Sequence, residues 1–239
     1  MKTKKSHEPV SVYASGVYVS LITVIQGFAL AALLWAIVDR PKGGMSIYDE
    51  LMQHDVHSIP YVAIIKGLIA FSGIITIWHS YAINAQFQSY SLTLLDSVIP
   101  FLFAFFEFIT ISLIETKSID WFSAALLAIQ ANGILGYWNM KYQMENGHAS
   151  ELMKGHFGTE LGLQIYKAII RFAVDSKKIM IQSFMCMFIA LLIAIGSRYA
   201  SLLRSYYIDV WAVVLAYTVA VLRLAKNDLH SYLNKIDSF

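Results

Sequence analysis

Four ionisable residues, Lys66, His79, Asp96 and Glu107, lie in or at the edge of long apolar runs. Ionisable groups at membrane depth are costly, and they mark ion paths, proton relays or buried pairs. If the apolar runs 59–85 and 92–114 form an antiparallel hairpin, Lys66 lies seven residues from one end and Glu107 seven from the matching end. At 1.5 Å per residue, both then sit roughly 10 Å below the same boundary. His79 and Asp96 fall at a second common depth. The register predicts a Lys66–Glu107 pair and a polar contact between His79 and Asp96. Two alternatives stand beside these pairs: Lys66 snorkelling to the interface, and Asp96 capping a helix start. Either pair could also serve only to stabilise a bundle.

Two further sets of residues could act at mid-membrane. Thr23, Gln26 and Gly27 fall near the middle of the first apolar run. A glutamine there hydrogen-bonds a neighbouring helix or lines a water-filled path, with Leu30 and Leu34 further along as apolar closing residues. Ala124, Ala128, Asn132 and Gly136 recur every four residues, a stripe that lets another helix approach closely, for packing or for oligomerisation. Other chemistry is poorly represented. Glu50, His54, Asp55 and His57 share a polar loop, but their spacing matches no standard metal site. The sequence has no phosphate loop, dinucleotide fingerprint, nucleophile elbow or zinc-binding cysteine pair. One histidine within the spans excludes bis-histidine haem ligation between helices, so no cofactor is expected. The basic residues lack a nucleic-acid-binding pattern. These absences argue against an enzyme.

The elements that must position these residues are membrane helices. The 239 residues are 57% hydrophobic and only 14% charged, against about 25% charged in a soluble domain. Six runs are long enough to cross a bilayer, which takes about 20 apolar residues: 10–38, 59–85, 92–114, 119–137, 179–196 and 206–224. Barrel strands would alternate in polarity over about ten residues, and nothing here does. The fold expected is all-α, a single polytopic domain of six transmembrane helices. The first run is too long for a signal-peptide core and reads as a span. The lone Cys186 forms no intrachain disulfide.

The distribution of basic residues sets orientation. Twelve of them fall on the side carrying both termini and the segment 141–178, and five on the other side. Both termini are therefore expected in the cytoplasm. Within 141–178 the chain begins flexibly around Gly147. From Glu160 onward, Leu161, Ile165, Ile169 and Phe172 recur at helical spacing. That stretch is either an interfacial helix on anionic lipid or the start of the fifth span.

The second and third spans read FSGIITIWHSYAINAQFQSYSLTLLDSVIPFLFAFFEFITISLI. Over these roughly 45 residues and in topology, the chain resembles the prokaryotic relatives of the endolysosomal potassium channel. Trp78 and His79 resemble that family's Trp and His near the end of its second span. Leu92, Leu95 and Pro100 are similar to its leucines and proline at the start of the third. The family's Arg-x-x-x-Phe-Ser-Asp signature would fall on Ser20, Val24, Ile25 and Gln26 here; only the following Gly27 agrees. The resemblance implies a homo-oligomer, four copies in that family, in which Gln26, Leu30 and Leu34 face a shared pore. The missing signature puts potassium selectivity in doubt. The function expected is a cation-permeable channel or channel-like pore of a bacterial inner membrane. The alternative is a membrane anchor or sensor subunit, as in a stress or phage-defence system, recruiting a cytoplasmic partner through 141–178.

Overall fold

The computed structural model describes residues 10–38, 61–86, 94–114, 116, 118–146, 149–197, 199, 208–227 and 232. The loop 39–58 with Glu50, His54, Asp55 and His57, the extreme termini, Leu92 and Gly147 lie outside the described residues. The described chain is all-helical, with seven principal helices: α1 (Val10–Val38), α2 (Tyr61–Gln86), α3 (Leu94–Ser112), α4 (Ile119–Asn146), α5 (Ala149–Phe157), α6 (Thr159–Ser197) and α7 (Ile208–Lys226). All but α5 are long and apolar enough to cross a membrane.

Each spanning helix buries one stripe and turns its other apolar residues outward. In α1 the buried stripe is Ile22, Gln26, Ala29 and Leu33, while Val24, Phe28, Leu34 and Trp35 are exposed. In α3 it is Asp96, Ile99, Phe103, Glu107 and Thr110. These spacings of three and four follow the helical period. α2 begins directly after Pro60, a residue suited to a helix start. Pro100, inside α3, cannot donate to the Asp96 carbonyl four residues back, so the ladder opens near the start of that helix.

α6 is the longest element, at 39 residues, or about 58 Å at 1.5 Å per residue. Its buried positions run Gly162, Ile165, Ile169, Phe172, Ser176, Met180, Ser183, Met187, Ala190, Ala194 and Ser197. This is a near-heptad seam, which keeps one face against its partners over many turns. The stretch from Glu160 is therefore the continuous start of the fifth spanning helix, not a separate helix lying on the bilayer. α4 likewise continues nine residues past Tyr137, to Asn146.

Two apolar cores result. One joins α1, α2, the end of α3, the start of α4, the end of α6, and α7, around Leu33, Ile74, Phe122, Met187 and Val213. The other joins the end of α4, α5 and the start of α6, around Met144, Met153, Ile165, Ile169 and Phe172. The α5–α6 corner is made by Gly158 at φ 89°, a left-handed helix cap that glycine adopts without steric cost. The Gly158 carbonyl then accepts from the Gly162 amide at 2.9 Å.

α2 and α3 do not form the close hairpin expected from the sequence. α3 packs chiefly on α4 and α1, and α2 chiefly on α1.

Candidate functional site

Glu107 is the deepest acid in the first core, 3% exposed. Its position in the α3 stripe turns it toward α1, where Gln26 occupies the matching stripe. The Gln26 amide donates to Glu107 Oε2 at 3.1 Å. Glu107 Oε1 and Gln26 Oε1 are buried without hydrogen-bond partners. Beside them, the Ser72 and Tyr217 hydroxyls of α2 and α7 lie 3.3 Å apart, and Tyr217 is within electrostatic reach of Glu107. A Cβ on Gly73 would come within 3.0 Å of the Tyr217 hydroxyl, so the glycine makes room for it. Thr110, one turn along α3, is 1% exposed and donates to the Phe106 carbonyl at 2.7 Å.

No cation neutralises Glu107 among the described residues. The ion pairs there join Lys141 to Glu145 at 3.6 Å and Lys178 to Asp175 at 3.7 Å. The expected Lys66–Glu107 pair is not formed. Lys66, fully buried, instead donates to the carbonyls of Leu113 at 3.0 Å, Thr116 at 2.7 Å and Ser118 at 3.3 Å. Its ammonium also lies 5.2 Å from the centre of the Phe122 ring, with Asp120 in electrostatic range. These carbonyls close α3 and its turn into α4, where a helix leaves unpaired acceptors and partial negative charge. The long lysine stem carries its charge past Glu107 to the helix end.

The second expected pair is also resolved differently. Asp96 accepts from Asn139 of α4 at 2.6 Å, while His79 is exposed on α2.

The proposed pore stripe of α1 divides between two faces. Gln26 points into the bundle, and Leu30 packs partly against the first core. Leu34 is exposed; Thr23 is exposed too and accepts from the Trp78 indole at 3.5 Å. Gly27 has nothing within 4 Å of a Cβ built on it. The small-residue stripe of α4 packs within the chain. Asn132 donates to the Ile99 carbonyl at 3.0 Å, one residue before Pro100. Gly136 faces Ile99 as well, and the neighbouring Gly133 is covered by Met180 of α6. Ala124 and Ala128 are half-buried on the same helix.

Several polar residues here were not singled out from the sequence. Asn139 lies seven residues after Asn132, on the same face, and would have been found by extending α4 past residue 137. Gln130 Oε1 and Ser183 Oγ are buried and unpaired, at α4 and α6 positions three residues from the Gly133–Met180 contact and on the same side of it. Tyr217 and Ser72 carry no distinguishing sequence signal. At the far end of α6, Ser197 donates to Asp209 Oδ2 at 3.0 Å and ties the start of α7.

No family model, curated protein or solved structure matches this chain. The class of protein defined by fold and site is an integral membrane protein with six helices long and apolar enough to span the bilayer and, among the described residues, a core carboxyl group that no cation pairs.

Proposed function

We propose that the protein passes small cations across a bacterial inner membrane, with Glu107 as the group that takes up the cation within the bilayer. The observation that carries this reading is Glu107 itself: buried, hydrogen-bonded on one oxygen by a neutral amide, and without a donor on the other. An uncompensated carboxylate in a bilayer interior is expensive. A bound proton or small cation removes that cost, and the unpaired oxygens of Glu107 and Gln26 are suitable ligands for either. The route then runs inside each protomer, among α1, α3 and α7, instead of along an axis lined by α1, because Gln26 faces inward. The resemblance of 71–114 to potassium-channel relatives is in keeping with cation passage, though the lost signature favours no particular ion. Purified protein in liposomes tests the reading. Wild type should dissipate an imposed proton or potassium gradient, and Glu107→Gln should abolish this while leaving the helical content unchanged. Absence of flux from wild type removes the reading.

A second reading, an anchor that recruits a cytoplasmic partner, is favoured by the second core. α5 and the ends of α4 and α6 form a compact helical unit with its own apolar centre, larger than a connecting loop requires. Cysteines at Glu151 and Gln164, both exposed, should then cross-link to one defined protein in cells. Failure to cross-link at both positions removes this alternative.

A further inference from the structure

We propose that α6 and α7 hold the headgroup of an anionic phospholipid between Lys178, Arg223 and Lys226. The two helices run antiparallel, and their register is fixed by two hydrogen bonds. Asn227 donates to Ser176 Oγ at 2.8 Å, and Arg223 donates to Gln182 Oε1 at 2.6 Å. Lys178 and Lys226 fall between these links, each one turn from the Arg223–Gln182 contact. Lys178, Arg223 and Lys226 are all exposed, and Lys177 is half-buried beside them. All four therefore emerge from a slab about 9 Å deep, six residues of α6 at 1.5 Å each.

Like charges gathered at one level of a helix pair repel unless an anion lies between them. The acid that the described residues place here is Asp175. It pairs with Lys178 at 3.7 Å and is also 2.8 Å from the Tyr232 hydroxyl, which leaves the described residues of the cluster net positive. A free anion would satisfy the charge alone. What selects a lipid is the surface immediately toward mid-membrane, where Ile181, Met185 and Leu222 are exposed and apolar. A phosphate on the basic groups leaves acyl chains to run along these side chains. A basic cluster at the membrane end of a helix pair is suited to anionic headgroups. The site is independent of Glu107.

The test uses the full chain in a mild non-ionic detergent, with retained lipid counted by native mass spectrometry. Phosphatidylglycerol should be retained over phosphatidylcholine, and the preference should weaken as salt is raised. Lys178→Gln with Lys226→Gln should lower phosphatidylglycerol retention about twenty-five-fold, at about fivefold per basic residue. Lys154→Gln with Lys167→Gln, which removes the same charge elsewhere, should leave it unchanged. Asp175→Asn should raise retention and serves as a variant that keeps every basic group. Equal retention of the two lipids, equal loss in the control pair, or displacement of phosphatidylglycerol by equimolar inorganic phosphate would overturn the proposal.

Discussion

Replacing Lys66 with methionine isolates the most heavily committed polar contact in the bundle. Methionine keeps the length and apolar stem of the side chain but removes the ammonium. Three carbonyl acceptors, of Leu113, Thr116 and Ser118, then lose a donor at 2.7–3.3 Å. Hydrogen bonds to a charged group contribute about 1.5–3 kcal/mol each to stability, and the cation at a helix C-terminus adds about 0.3–1 kcal/mol. Against this, methionine avoids the cost of desolvating a buried ammonium, several kcal/mol. The net destabilisation expected is about 2–4 kcal/mol. Equilibrium unfolding in bicelles, followed by tryptophan fluorescence, measures it. Arginine at 66 should recover only part, since its planar fork does not reproduce three convergent acceptors. A loss below about 0.5 kcal/mol, within the scatter of surface substitutions, would refute the capping role. A double-mutant cycle of Lys66→Met with Glu107→Gln should be additive within about 0.5 kcal/mol, as for residues without shared partners. Strong coupling would restore the pair that the sequence register suggests.

Three other outcomes are expected. Gly133→Leu should destabilise the α4–α6 contact by about 1–3 kcal/mol, the usual cost of overpacking, because Met180 already covers that glycine; unchanged unfolding would mean that the helices can separate there freely. The Tyr232 hydroxyl, pushed up to about 12 by burial and by Asp175, should ionise well above the usual tyrosine value of about 10. Its neutral form is favoured by folding, so its contribution to stability is complete below pH about 10 and is lost as pH rises toward 12; a Tyr232→Phe difference titration at the phenolate absorbance that shows an ordinary midpoint would remove this contact. Single cysteines at Ser6, Ser46, Gly147 and Ser238, in a background with Cys186 replaced, should react with an impermeant reagent from outside only at Ser46; labelling of the Ser6 or Ser238 position would reverse the orientation drawn from the basic residues.

The six spanning helices were legible in the sequence because hydropathy over about 20 residues reports bilayer crossing directly. Helix ends were less so. Hydropathy falls at Lys141 and rises again near Ile179, but the helices follow backbone hydrogen bonding and continue through both edges. The three- and four-residue spacing of Ile165, Ile169, Phe172 and Ser176 carried the missing information about α6. The polar contacts show a different limit. Lys66 and Glu107 were assigned a common depth, but depth is one coordinate and rotation about the helix axis is another. α1 is apolar on every side, so nothing in its sequence orients Gln26 inward. Nor does the order of spans reveal that α3 lies against α1 and α4 more than against α2. Side-chain reach adds a third unknown: a lysine with four methylenes can leave its own depth for a helix end, as Lys66 does, while Glu107 cannot.

The two functional readings rest on different parts of one molecule. Glu107, Gln26, Ser72 and Tyr217 belong to helices that meet in the first core, around Leu33, Ile74 and Val213. The second core, around Met144, Met153 and Ile169, shares no buried residue with it. What joins them is α4 and α6, each continuous from one core into the other. Near the start of α6, Gly162 lies against the backbone of Met153 and Lys154 with no room for a side chain, which fixes α5 on α6 by close approach. Near the middle, Gly133 and Met180 bring α6 close to α4, one turn from the unpaired Gln130 and Ser183. The two proposed readings, cation uptake at Glu107 and recruitment at α5, therefore draw on separate cores and do not exclude each other.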